Sequence, residues 1–157
     1  MSPRVVLALL VLLAALPAHG RGERLEAALG LWWAEGGAAQ VEIQSCGDAL
    51  CGKVVWLRSP FDEQGCPVRD TENPDAHARG RPMVGVEILR GLRPEASGEG
   101  WSGGEIYDPT SGRHYSAAMS LDGPDRLQVR GYLGIRLLGR TTHWTRVQEE
   151  PVCRVSH

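Results

Sequence analysis

The chain has 157 residues, 17 basic against 19 acidic side chains, and a formal net charge of −2. That is enough for one domain with a modest core, and the balance lacks the basic excess that nucleic acid demands. The sixteen arginines and single lysine are scattered rather than gathered into a stripe, so no nucleic-acid partner is expected.

Residues 1–20 read as a secretory signal peptide. Arg4 supplies the basic start, the uncharged run Val5 to Leu16 is too short to span a bilayer, and Ala18 and Gly20 are small residues placed for cleavage after Gly20. A lipid anchor would need a cysteine directly after the cleavage point, and the first cysteine is Cys46. The expected location is therefore the periplasm or beyond, with no membrane span left after cleavage. About 137 residues remain, carrying a formal charge near −3 once Arg4 is lost.

Residues 21–29 carry a short helical pattern, Glu23 to Leu29, stopped by Gly30; it is too short to stand alone. Eight strand-like runs follow: Leu31 to Ala34, Gln40 to Ser45, Gly52 to Leu57, Met83 to Arg90, Trp101 to Tyr107, Arg113 to Leu121, Arg126 to Tyr132 and Arg140 to Val147. Val41 and Ile43 alternate with Glu42 and Gln44, Val84, Val86 and Ile88 with Gly85 and Glu87, and Leu127 and Val129 with Gln128 and Arg130. The clearest hairpin joins Trp101–Tyr107 to Arg113–Leu121. Its turn has Asp108 to bond its own backbone two residues on, Pro109 to preset φ, and Gly112 to take a positive φ. Short turns between consecutive strands favour a meander, and closing an eight-strand meander removes its edges.

Two connections break the pattern. Arg58 to Pro82, between the third and fourth strands, is long for a compact domain; Asn73 and Pro74 suit the start of one helical turn through Ala78. Leu133 to Gly139 places Ile135, Leu137 and Leu138 between glycines and reads as an apolar plug for one barrel end.

Four cysteines in an exported chain suggest two disulfides. Cys46 and Cys51 sit close enough to bridge a hairpin, which leaves Cys66 with Cys153. Closing the long loop would stabilise by roughly 4 to 5 kcal/mol against roughly 2 for the short one. Four thiolates around zinc would need closely spaced pairs, which Cys66 and Cys153 do not supply.

Gly30-Leu31-Trp32 at the head of the first strand resembles the Gly-x-Trp signature of lipocalins, with Arg146 near the end of the last strand where that family sets an arginine against the tryptophan. More specifically, Cys46-Gly47-Asp48-Ala49-Leu50-Cys51-Gly52, Asp70-x-x-Asn73-Pro74-Asp75, Gly104-x-Ile106-Tyr107-Asp108-Pro109 with Gly112 and Tyr115, and Gly139-Arg140-Thr141-x-x-Trp144-Thr145-Arg146-Val147 resemble a family of small exported bacterial proteins of uncharacterised function with a lipocalin-like barrel. The resemblance covers residues 30–147 and implies a fold and an exported location, since the family has no settled activity. Cys66 and Cys153 stand outside the pattern. Trp32 and Arg146 are then read as a barrel-closing pair, a guanidinium over an indole contributing about 0.5 to 2 kcal/mol.

No catalytic residue is assigned: there is no nucleophile with a spaced base and no Gly-x-Ser-x-Gly elbow. His77, His114 and His143 lack a ligand spacing, so no metal site and no cofactor are expected. Asp70, Asn73, Asp75, His77, Arg79 and Arg81 crowd the long loop. They are read mainly as its internal bracing, with an acid–base site as the competing use. Inward glycines and alanine, namely Gly85, Gly103, Gly104, Ala117 and Gly131, would leave room for a lumen, and aromatic rings with polar tips suit its wall.

The sequence is therefore read as a signal peptide (1–20), a short helix (21–29), an all-β, single antiparallel eight-stranded lipocalin-like (calycin) barrel (30–147) and a tail (148–157). The expected function is binding of a small hydrophobic or amphipathic ligand in the bacterial envelope, under the long loop, by Trp56, Tyr107, Tyr115, Tyr132, Arg79 and Arg81. The alternatives are an interaction module with a filled barrel and, third, a hydrolase or isomerase built on Asp70–Arg81.

Overall fold

The computed structural model describes residues 25–148. The expected signal peptide, the tail beyond residue 148 and Cys153 lie outside the described residues.

Eight strands, β1 (Gly30–Trp33), β2 (Ala39–Cys46), β3 (Ala49–Leu57), β4 (Glu87–Pro94), β5 (Trp101–Asp108), β6 (Arg113–Leu121), β7 (Arg126–Tyr132) and β8 (Arg140–Arg146), pair in sequence order. β1 and β8 also pair, antiparallel, which closes the barrel. Closure leaves no long unpaired edge. The alternation of β2 and β7 works as the sequence suggests: Val41, Ile43, Leu127 and Val129 are buried in one core cluster, joined there by Ala117 and Met119 of β6.

Glycines break the alternation elsewhere. In β4 a positive-φ Gly91 lies between Leu89 and Leu92, and both leucines are buried. The strand starts at Glu87, not Met83, because Met83–Val86 form a turn, with Val86 N donating to Met83 O at 3.1 Å and Gly85 at φ +100°; Val84 is exposed there while Val86 is buried. In β3 the register slips opposite Gln40/Val41: Val41 faces Val54, but Gln40 faces Trp56. One extra residue reverses the facing of everything after it. Trp56 consequently packs edge-to-face on Trp33, ring centroids 5.2 Å apart, and stays 40% exposed.

The short N-terminal helix is a correction. In the described part of it, Leu25 and Glu26 are helical and Ala27 and Ala28 already form a turn, closed by Leu29 N donating to Glu26 O at 3.0 Å. Residues 21–24 lie outside the described residues, and the helical conformation ends at Glu26, short of the expected Leu29. The apolar residues of this segment are used for packing: Ala28 is buried and Leu25 and Leu29 lie against the core.

The apolar plug is also overturned. Leu133, Ile135, Leu137 and Leu138 are 59–83% exposed, around a single 3₁₀ turn over Arg136–Leu138 that stands at the rim of the barrel.

Candidate functional site

The two ends of the barrel differ. At one end the Arg146 guanidinium lies 4.2 Å from the centroid of the Trp32 ring. It donates to Leu29 O at 2.8 Å, Ala27 O at 2.9 Å and Pro124 O at 2.9 Å, and pairs with Asp125 at 3.4 Å. Trp32 is fully buried and gives its indole N–H to Ala28 O at 2.9 Å. Backbone carbonyls that would otherwise lack partners are thus satisfied by one side chain that also packs on the core.

At the other end a cavity of about 790 Å³ opens between β5, β6, β7 and β8. Val129 and Trp144 lie at its base, and Ile106, Tyr115, Tyr132, Leu133 and Leu138 form much of its wall. Asp108, Glu35, Arg140 and Thr142 bring polar atoms to it. Gly131 of β7 faces the cavity, and Ile106 and Tyr115 pack close over it. A Cβ at that position would meet Ile106 Cγ2 at 3.2 Å and Tyr115 Cβ at 3.6 Å. The other small residues divide: Gly104 and Ala117 are buried opposite each other, but Gly103 is an exposed positive-φ residue at an irregularity of β5, and Gly85 lies in the long loop.

The β5–β6 turn frames one side of the mouth. Asp108 accepts from Thr110 N at 3.0 Å, Thr110 Oγ1 at 2.5 Å and Ser111 Oγ at 2.7 Å, and Gly112 N donates to Asp108 O at 2.8 Å. Burial would raise the Asp108 pKa, but these bonds outweigh it and hold the carboxyl below its usual value.

The long loop does not cover the cavity, and none of its residues lines it. It packs instead on the outer face of the sheet, where Met83, Val86 and Tyr107 form a small second core backed by Leu57, Val68 and Ile88. Beside it is Asp70, which with Asn73 makes up the buried polar side chains among the described residues. Its carboxylate accepts from Tyr107 Oη at 2.6 Å, Asn73 Nδ2 at 2.7 Å, and Arg81 Nη2 and Nε at 2.9 and 3.1 Å. Desolvation pushes the Asp70 pKa up, yet the three hydrogen-bonding partners and the Arg81 charge win and leave it below 3.8. Tyr107 is pushed up to about 12, first by burial and then by its bond to the Asp70 carboxylate. Asn73 does not begin a helix: its Oδ1 accepts from Asp75 N at 2.9 Å, Asp75 Oδ1 accepts from His77 N at 2.9 Å, and Arg79 Nε donates to Asn73 O at 2.7 Å. The segment is a string of side-chain-capped turns.

Of the six side chains expected to bind ligand, the structure brings Tyr115 and Tyr132 to the cavity wall. Tyr107 borders the cavity, but its hydroxyl is spent on Asp70. Arg79 and Arg81 brace the long loop, and Trp56 sits with Trp33; none of these three lines the cavity. The residues missed were Ile106, Leu133, Leu138 and Trp144. The signal for Ile106 was present, since it shares the inward parity of Gly104.

Cys46 and Cys51 form a disulfide, Cα atoms 6.0 Å apart. The turn between them is tighter than expected, with Cys46 opposite Ala49 and Cys51 opposite Gln44, so the bridge runs diagonally across the hairpin. Cys66 is exposed and has no partner among the described residues.

A closed, antiparallel, eight-stranded meander with one end braced by Arg146 and a wide cavity at the other is a lipocalin-like barrel. It is similar to protein HP1028 from the human pathogen Helicobacter pylori, described as belonging to the lipocalin family, with a TM-score of 0.64, 20% identity, and 77% of this chain and 83% of that one covered. At that identity the likeness speaks for the fold. Residues 30–146 match the family described as uncharacterized protein conserved in bacteria (DUF2147), and the chain belongs to that family. No curated protein matches it by sequence.

Proposed function

We propose that this protein is an exported binder of a small apolar or amphipathic molecule, held in the open end of the barrel. The observation that carries this reading is the cavity itself. About 790 Å³ lies within the roughly 300 to 1,000 Å³ range of small-molecule sites, and its wall combines apolar and aromatic side chains with polar ones from Glu35, Asp108, Thr110, Arg140 and Thr142, which suits an amphipathic molecule. Tyr115 and Tyr132 supply rings for apolar contact and hydroxyls for one or two orienting hydrogen bonds. The exported location is supported by the Cys46–Cys51 disulfide, which belongs to an oxidising compartment.

The acid–base reading of Asp70–Arg81 finds no support in the geometry. A carboxylate that is fully buried, with three hydrogen bonds on Oδ2 and one from Tyr107 on Oδ1, offers no accessible oxygen to a substrate. The interaction-module reading, in its filled-barrel form, is opposed by the cavity. Its favourable observation is the exposed apolar rim at Leu133–Leu138.

The test is native mass spectrometry of protein purified from an oxidising compartment, with solvent extraction of whatever co-purifies. A stoichiometric small molecule supports the reading. A clean apo mass, unchanged on challenge with fatty acids, sterol-like and aromatic compounds, counts against it.

A further inference from the structure

The wide cavity carries polar side chains of two kinds, those already committed to protein partners and those with hydrogen-bonding capacity left over. The carboxylates are committed. Asp108 accepts from Thr110 N, Thr110 Oγ1 and Ser111 Oγ within its own turn. Glu35 accepts from Arg140 Nη2 at 3.3 Å on one oxygen and from His143 N at 3.4 Å on the other. Thr142 gives its hydroxyl to Val129 O at 3.3 Å. The tyrosines divide. Tyr107 gives its hydroxyl to Asp70 at 2.6 Å, whereas those of Tyr115 and Tyr132, both on the cavity wall, have no hydrogen-bond partner among the described residues.

A polar group entering the cavity therefore meets two phenol hydroxyls, each able to donate one hydrogen bond and to accept others, rather than an unpaired charge. An anionic head would have to draw Arg140 away from Glu35, and would then share a partly desolvated mouth with the like charges of Glu35 and Asp108. A cationic head would gain only by reaching Asp108, whose oxygens are filled by the donors of its own turn and which stands opposite Arg113 in the β5–β6 ladder. An uncharged head gives up the least hydration and needs only what Tyr115 and Tyr132 offer. We propose, resting on the reading of this cavity as a ligand site, that the ligand is a neutral amphiphile. Its apolar body lies on Ile106, Val129 and Trp144, and its uncharged head, a hydroxyl, ester or amide, is hydrogen-bonded by Tyr115 and Tyr132.

The test uses protein recovered from the periplasm of a bacterial expression host, its N-terminus defined by mass, with an environment-sensitive apolar dye in the cavity. Three probes of equal chain length, 1-decanol, decanoate and decylammonium, are titrated against the dye at neutral pH. The alcohol should displace it at least about tenfold more tightly than either ion. In Tyr115→Phe/Tyr132→Phe, with the folded circular dichroism spectrum kept, that preference should collapse; the ranking on the wild-type protein stands without the variant if the variant fails to fold. Equal displacement by all three probes, or tighter displacement by either ion, would overturn the neutral head and leave the cavity reading standing. A preference for the alcohol that survives in the double variant would overturn the assignment to the two tyrosines. A dye that finds no saturable site would overturn the cavity reading and this inference with it.

Discussion

Arg146 and Arg130 stand at opposite ends of the barrel and do the same local work with opposite results. Each lies close to β8, Arg146 on it and Arg130 on the neighbouring β7, and each donates to carbonyls of a connecting segment. Arg146 draws the Ala27–Leu29 turn onto Trp32 and buries Ala28. Arg130 holds Arg136 and Leu137 by their carbonyls and keeps the leucines of that turn in solvent. The comparison teaches that an arginine bracket fixes a loop without deciding whether its apolar residues face in or out. That is decided by what lies beneath: Trp32 and Leu127 packed under the turn at one end, with a smaller cavity of about 490 Å³ beside Trp101, and the wider cavity at the other.

A third bracket, Asp70 with Arg81, Asn73 and Tyr107, holds the long loop to the barrel's flank, and breaking it should cost most. Asp70→Ala leaves the Tyr107 hydroxyl and the Asn73 amide buried without a partner, at about 1 to 3 kcal/mol each. We expect a loss of about 3 to 4 kcal/mol in urea unfolding and new proteolytic cleavage between residues 58 and 86. The same bracket fixes a pH window. The Asp70 pKa is lowered on folding, so its contribution is present above about pH 3.8 and is lost as pH falls through the folded value. Tyr107 is raised from 10.0 to about 12, so its contribution is complete below pH 10 and is lost as pH rises toward 12. Ultraviolet titration should show one phenolate appearing near pH 12, absent in Tyr107→Phe; ionisation of Tyr107 near 10 would contradict the buried bond.

Arg146→Ala removes the cation–π contact and three carbonyl hydrogen bonds from the braced end, for about 2 kcal/mol by thermal or urea unfolding. Binding at the far end should be unchanged. An unaltered melting temperature would mean that the turn is held by Trp32 and Ala28 without it.

Gly112→Ala should cost about 1 to 3 kcal/mol for the positive φ alone, with the clash against the loop backbone adding to it. Gly112 takes φ +68°, and a Cβ there would run into the Glu72 carbonyl of the long loop. Differential scanning calorimetry would detect it, and neutrality would show that the loop yields.

Much of the barrel is legible in the sequence because its evidence is local. Val41/Ile43, Leu127/Val129 and the Asp108–Gly112 turn declare themselves within a few residues. Sequence reading fails where a single residue shifts a register: Gly91 sets both Leu89 and Leu92 inward, and the slip near Val41 moves Trp56 outside. Periodicity cannot count a bulge in advance. The site was half legible for a related reason. Tyr115 follows from alternation, but the Tyr107–Asp70 bond joins positions 37 residues apart. The facing of Leu133–Leu138 depends on a cavity that no local pattern records.

The central claim, that the open end holds a small apolar molecule, is tested most directly by filling it. Gly131→Leu would place a side chain against Ile106 and Tyr115, inside the cavity. Titration of an environment-sensitive apolar dye should show one saturable site in the wild-type protein, weakened at least about tenfold in Gly131→Leu while the folded circular dichroism spectrum is kept. Equal, saturable binding by both proteins would place the dye elsewhere and contradict the account.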